Sequence, residues 1–270
     1  MGSETSLSEI LEGINESALR NENLFFTLFG KSVEIHEMVE NIYPLKDRSE
    51  VINCDEQILM TDKPTDAIRL KKKSSMQLSI DHVSSGRSHA ALSCGNTGAL
   101  MAISLLKLRM IASIKRPSIA SIWPNIKGES IVLDLGANIK NDHISLIDNA
   151  ILGSALAKVL FSMTEPSIGL LNVGIEEMKG NDNVQKASEV LLEMNSKKQL
   201  NYYGFIEGAD ISNGRTNVVV TDGFTGNIAL KTAEGTASMV QSFFKKAFHL
   251  LTYNIRNCNI CFYTRSRNTW

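Results

Sequence analysis

The sequence is short of cysteine, of charge of one sign and of long apolar runs, and each shortage excludes something. Four cysteines, Cys54, Cys94, Cys258 and Cys261, are too few and too scattered for a disulfide scaffold, which fits a reducing compartment. Cys258 and Cys261 have metal or redox spacing, but one pair without a second pair or histidines does not make a site, and no metal is expected. Twenty-eight Lys+Arg against 29 Asp+Glu leave a net charge of −1, so no global field gathers nucleic acid. No run of about 18 uncharged apolar residues is present, and Met1-Gly-Ser-Glu-Thr5 lacks the basic region and apolar core of a signal peptide. A cytoplasmic protein is expected. Also missing are a Gly-x-Gly-x-x-Gly fingerprint, a Walker lysine motif, a Gly-x-Ser-x-Gly elbow and a His-Glu-x-x-His pair, so no cofactor is expected.

What is present is a globular composition, 43% hydrophobic over 270 residues, enough for a substantial core. Leu7, Ile10, Leu11, Ile14 and Leu19 predict an opening amphipathic helix, followed by a strand at Leu24–Phe29, a helix over 34–43 and a strand at 51–54. Asp62 and Pro64 predict a helix start, and Ser74-Ser75-Met76 another. Lys71-Lys72-Lys73 reads either as a solvated helix end or as a landing patch for an acidic partner. Residues 98–112 are apolar almost all round and predict a buried helix. Strands follow at Ile119–Ile122, Ile131–Leu133, Ile168–Val173, Tyr202–Ile206 and Val218–Thr221, alternating after Leu133 with helices over 142–163, 182–195 and 227–250. Apolar strands alternating with helices predict an α/β fold, a doubly wound, mostly parallel sheet with helices on both faces. One domain over residues 1–248 is expected, with an unpatterned tail over 249–270 that is poorly ordered.

Four glycine-containing turns interrupt this pattern: Ser93-Cys-Gly-Asn-Thr-Gly-Ala-Leu100 after the run Ala90-Ala91-Leu92, which reads as a further strand, Asp134-Leu-Gly-Ala-Asn138, Gly174-Ile-Glu-Glu-Met-Lys-Gly180, and Asp222-Gly-Phe-Thr-Gly-Asn227. In an open α/β sheet all four would meet at one edge. Glycines let backbone amides approach a ligand, and a helix start favours an anion. Asn96, Thr97, Asn138, Glu176, Glu177, Lys179, Asn181, Asp222, Thr225, Asn227 and Lys231 supply a polar set suited to inorganic phosphate or a phosphate ester. The competing reading of each loop is a plain tight turn whose Asp or Asn caps a helix. Cys94 reads as a small buried residue rather than a nucleophile.

These four ordered motifs, with Pro64, Ala67-Ile-Arg69 and Ser74-Ser75-Met76, resemble the signatures of the bacterial acyl-ACP:phosphate acyltransferases, the PlsX family, over about residues 1–248. The resemblance implies an isocitrate-dehydrogenase-like α/β/α sandwich, a homodimer, and transfer of a fatty acyl group from acyl carrier protein to inorganic phosphate. The acyl phosphate formed feeds phospholipid synthesis through the membrane glycerol-3-phosphate acyltransferase. Phosphate is itself a nucleophile and a thiolate is a good leaving group, so positioning and oxyanion stabilisation carry the chemistry. Asn96, Asn138, Lys179, Asp222 and Lys231 are the expected catalytic residues. Lys179 and Lys231 neutralise charge, and Asn138 and Asp222 orient. Gly95, Thr97, Gly98, Gly136, Glu176, Glu177, Asn181, Gly223, Thr225, Gly226 and Asn227 are expected to line the substrate. A catalytically impaired remnant that only dimerises or binds carrier protein, or a phosphate acetyl- or butyryltransferase using coenzyme A thioesters, stays open beside this. Met1-Gly2-Ser3-Glu4 retains only the turn after the family's first strand, and the family's Gly-rich, His-Gly end is not found in 249–270, so the chain is expected to be incomplete at both termini. Met239, Val240, Phe243, Phe244, Phe248 and Leu251 beside Lys245 and Lys246 add an expected contact with the inner membrane surface.

Overall fold

Capping and apolar spacing account for most element boundaries in the computed structural model, which describes residues 2, 5–111, 113–138 and 141–265, with side chains through residue 247. Met1, Ser3 and Glu4 of the expected opening turn and the side chains of Phe248, Leu251, Cys258 and Cys261 lie outside the described residues. Where one domain is expected, the chain divides into two compact units, Met1–Pro117 and Ser118–Trp270.

In the first unit, α1 (Leu7–Arg20) starts on a capping box. Ser6 Oγ accepts from the Glu9 amide while the Ser6 amide donates to the Glu9 carboxylate. Strands β1 (Phe26–Gly30) and β2 (Ser49–Asn53) pair in parallel, flanked by α2 (Ser32–Val39), around a core of Leu11, Leu28, Ile35, Val39 and Leu45. The second core of this unit, Ile58, Ala67, Met76, Ile80, Ala99 and Ile103, joins α3 (Pro64–Leu70), α4 (Ser75–Ser84) and α5 (Thr97–Leu108). Asp62 does not cap α3, as expected from its position, but ion-pairs with Lys71, so that lysine closes a loop.

Two expectations fail in this unit. Ala90-Ala91-Leu92 forms no strand: it is irregular and Leu92 is 86% exposed, because three apolar residues find no neighbouring strand to pair with. The apolar helix is not buried either. It ends at Leu108, where Arg109 adopts a left-handed φ of 64°, and only Ala99 and Ile103 are buried along it, with Leu106 and Ile111 exposed. Apolar composition alone cannot choose among core, interface and surface.

The second unit is the mixed, mostly parallel α/β sandwich. Its elements are β3 (Ala120–Asn125), β4 (Gly128–Leu133), α6 (His143–Leu160), β5 (Ser167–Leu171), α7 (Asp182–Ser196), β6 (Asn201–Ile206), the short α8 (Gly208–Ser212), β7 (Val218–Val220) and α9 (Gly223–Arg265). Strand order is β3-β4-β7-β5-β6, parallel except for β3. Strand β3 was expected to be covered on both faces; instead it is an edge strand whose residues alternate in exposure, with Pro124 near its end. A two-residue hairpin, Ile126-Lys127, turns it antiparallel onto β4.

Alternate residues of the central strands face two cores. Ile131, Leu133, Ile168, Leu170, Val218 and Val220 pack with α6 and α7, while Val132 and Val219 face Leu135, Ile211 and Leu230. Helix α6 is, among the described residues, the one helix long and apolar enough to cross a membrane, yet its Leu146, Ala150 and Ala157 are buried in the first of these cores. Helix α9 begins earlier and ends later than the periodicity over 227–250 predicts, running as one helix of 43 residues, and its backbone is helical through Arg265 where an unordered tail is expected.

Candidate active site

The strand order decides which loops meet. Strand β7 comes last in sequence but lies between β4 and β5, so the loops after β4, β7 and β5 leave the same carboxyl edge side by side. Three of the four glycine turns are therefore neighbours. The fourth, Ser93–Leu100, belongs to the first unit and follows no strand.

Asp134 organises the loop after β4. Its side chain is fully buried. One carboxylate oxygen accepts from the amides of Ile119 (3.2 Å), Gly136 (3.1 Å) and Ala137 (2.9 Å), and the other from the Asn138 amide and the Asn138 Nδ2, both at 2.9 Å. The chain wraps around one carboxylate, which requires Gly136 at φ +128°, a conformation an L side chain resists. Asp222 plays the same part at the start of α9. Its Oδ1 accepts from the amides of Phe224 (3.0 Å) and Thr225 (2.9 Å), and its Oδ2 from Thr225 Oγ1 (2.7 Å).

These two loops interlock through their glycines. The Gly223 amide donates to the Asn138 carbonyl at 3.1 Å, and a Cβ on Gly223 would drive into that carbonyl. A Cβ on Gly226 would strike the Asp134 carbonyl, and one on Gly136 would sit 3.5 Å from the Asn227 side chain. Glycine is thus needed here for close packing between backbones.

The loop after β5 is tied to itself. Asn172 Nδ2 donates to the Lys179 carbonyl (2.9 Å), the Lys179 amide to the Glu176 carbonyl (3.0 Å), and Gln185 Nε2 to the Met178 carbonyl (3.0 Å). Lys179 Nζ lies 2.9 Å from Glu176 Oε1 with both side chains at least half exposed, and this bond, as the main cause, holds the Glu176 carboxyl below its ordinary value. Glu177 is exposed, and Asn181 caps α7 by accepting from the Asn183 and Val184 amides. Lys231 lies eight residues into α9 from Gly223, about 12 Å along the axis, and pairs with Glu234 at 2.8 Å.

In the first unit, Asn96 is buried and its side chain is occupied. The oxygen accepts from the Ala99 amide to cap α5, and Nδ2 donates to the carbonyls of Leu59, Met60 and Asp62 at 3.0–3.2 Å. Gly95 lies close to Met76 and Gly98 close to Pro64, where a Cβ would crowd each; Thr97 is exposed. Cys94 is exposed, contrary to expectation, because it sits on the outer side of the turn whose next residue but one is buried as the cap.

Most of the backbone amides that the glycine pattern offers to an anion are therefore already bound, by Asp134, Asp222 and Asn96. The capping reading holds for Asn96 and Asp222, while Asp134 closes a tight turn with no helix directly after it, and Asp134 and Asn172, which anchor two of the loops, are not among the expected site residues. Asp134 carries a signal that sequence reading could use: a carboxylate placed directly after the apolar run Ile131-Val-Leu133 and followed by Gly and Asn must be buried, and a buried carboxylate needs several donors.

The family model described as fatty acid synthesis protein matches residues 1–252. The chain belongs to that family, PlsX. Its relatives include the phosphate acyltransferase of Azorhizobium caulinodans, 46% identical over 248 residues, 92% of this chain and 70% of that protein. The phosphate acyltransferase of Chelativorans sp. is 45% identical over 92% of this chain and 71% of its own length. Two solved structures share the fold: the EutD phosphotransacetylase from Staphylococcus aureus (TM-score 0.53, 15% identity, 87% of this chain and 88% of that one) and a branched-chain phosphotransacylase from Enterococcus faecalis V583 (TM-score 0.51, 15% identity, 86% and 81%). Among the described residues of these loops this PlsX-family acyltransferase presents no Ser-His or Cys-His pair. What it presents is a rigid, carboxylate-anchored edge beside an exposed lysine.

Proposed function

We propose that this protein transfers a fatty acyl group from the thioester of acyl carrier protein to inorganic phosphate, releasing the carrier thiol and an acyl phosphate used in phospholipid synthesis. The observation that carries the reading is the interlocked edge formed by Asp134–Asn138 and Asp222–Asn227, with Lys179 on the adjoining loop. An attacking phosphate oxygen adds to the thioester carbonyl and the C–S bond breaks, so a preformed surface that orients both reactants supplies most of what is required. The Lys179–Glu176 pair is exposed, and such pairs contribute about 0–1 kcal/mol. Exchanging Glu176 for a phosphate dianion on the same ammonium therefore costs little. Asn138 and Asn227 orient the reactants from the shared edge, and Asp222, which holds both the amide and the hydroxyl of Thr225, fixes the turn.

The test is thioester loss from long-chain acyl carrier protein with and without phosphate, beside the corresponding coenzyme A thioester. Phosphate-dependent loss with the carrier-bound donor is expected. Equal loss without phosphate would make the protein a hydrolase, and preference for the coenzyme A donor would favour the second class of transferase.

A further inference from the structure

We infer that the loop after β5 presents a binding wall for the acyl chain of the donor, made by Val173, Ile175 and Met178, and that Ile175 and Met178 set the preference for acyl length. The inference rests on the proposed reaction. Val173 is 79% exposed, Ile175 64% and Met178 88%. Three large apolar residues in six positions face solvent on a loop held by hydrogen bonds at Asn172, Lys179 and Gln185, so their exposure is built into the loop. Apolar surface kept in water by an ordered backbone marks a site for an apolar ligand.

Position on the sheet identifies that ligand. The register Leu170↔Val220 ends the two strands side by side, one strand spacing of about 4.8 Å apart, so the loops that begin at Asn172 and Asp222 leave the edge as neighbours. Phe224, 59% exposed, stands at the start of α9 next to Asp222 and adds exposed apolar surface to the neighbouring loop. A chain whose carbonyl carbon lies at the Asp134–Asp222 edge would thus run first over this wall. Lys179 and Glu176 occupy alternate positions of the same loop, so the polar head and the apolar tail of one substrate meet different side chains of a single loop.

The experiment compares wild type with Ile175→Ser, Met178→Ser and the double variant, using hexadecanoyl and butyryl thioesters of carrier protein and saturating phosphate. Both residues are exposed, so the variants should melt as wild type does. Expected is a rise in KM of about tenfold per lost side chain for the hexadecanoyl donor, from the apolar burial forfeited, with butyryl kinetics unchanged. Equal changes for both donors, or none, would overturn the inference while wild-type phosphate-dependent turnover still supports the reaction. Loss of binding to anionic vesicles with unchanged hexadecanoyl KM would overturn it in favour of a lipid surface. If wild type shows no phosphate-dependent turnover with either donor, the reading of the reaction fails and this inference falls with it.

Discussion

Replacing Asp134 with asparagine keeps the shape of a fully buried side chain and removes its charge. Five donors converge on the carboxylate, three on one oxygen and two on the other. An asparagine oxygen can keep the three partners of Oδ1, but its NH2 then faces the Asn138 amide and the Asn138 Nδ2, both donors. Two hydrogen bonds to a charged acceptor are lost, at about 1.5–3 kcal/mol each, so the cost is about 3–6 kcal/mol before relaxation. Set against a net stability of ~5–15 kcal/mol, that is severe without being certain to unfold the chain. In a protein of this size it lowers Tm by roughly 10–20 °C. Because Gly223 and Gly226 pack on the carbonyls of Asn138 and Asp134, the β7 loop loses its support as well. Thermal melts, with amide hydrogen exchange at Gly136, Ala137 and Asn138, measure both effects, and Glu193→Gln, at an exposed i,i+4 pair, serves as the control. An Asp134→Asn protein that melts within about 2 °C of wild type and keeps slow exchange at those three amides would refute the anchoring argument.

Gly226→Ala should destabilise by about 1–3 kcal/mol through overpacking against the Asp134 carbonyl and should lower turnover more than it lowers Tm, as melts and phosphate-dependent rates together would show. Lys179→Ala should reduce turnover by about 10²-fold with an unchanged melt, while Glu176→Gln should leave turnover within a few-fold, and the two rates measured together separate a substrate contact from a surface pair. Asn96→Ala should cost the first unit about 2–4 kcal/mol, since a helix cap and the bonds to Leu59, Met60 and Asp62 go together; a denaturant midpoint unchanged from wild type would contradict this. Burial, only partly opposed by the bond to Ser188, pushes the Tyr202 hydroxyl up to about 12 from 10.0, so its contribution to stability is complete below pH ~10 and is lost as pH rises towards ~12. The loss is roughly 2–3 kcal/mol, and Tyr202→Phe should flatten that part of the stability profile.

Elements with strong local signals were legible in the residues. The capping box of α1, the apolar runs of β4, β5 and β7 and the Asn181 start of α7 needed no tertiary information. The sheet order did not show, because placing β7 between β4 and β5 depends on which hydrophobic faces fit, and all three strands are apolar on both faces. Leu100–Ile111 misled for a related reason: hydrophobic composition says that a surface wants covering but not by what. The division after Pro117 was equally hidden, since the segment carries no glycine-rich or low-complexity linker.

The site loops were read in part for donors that are already bound. Glycine and asparagine at strand ends suggested free amides waiting for an anion, but Asp134 and Asp222 already hold those amides. A carboxylate in that place has a consequence for mechanism. It fixes the backbone as firmly as a bound phosphate would, whether or not substrate is present, so the edge needs no ligand to become ordered. It also adds negative charge close to where phosphate is proposed to arrive, the half-exposed Asp222 more than the fully satisfied Asp134. In the proposed reaction phosphate binding is therefore carried by side chains that reach beyond the loops, and among the described residues of these three loops Lys179 is the cation proposed to do so. Raising ionic strength should accordingly weaken phosphate more than acyl donor: the KM for phosphate should climb between 50 and 500 mM salt (roughly one Debye-length halving or more), while that for a long-chain donor held by apolar contact stays flat or falls. Parallel salt dependence of the two constants would mean that Lys179 is not the principal phosphate contact.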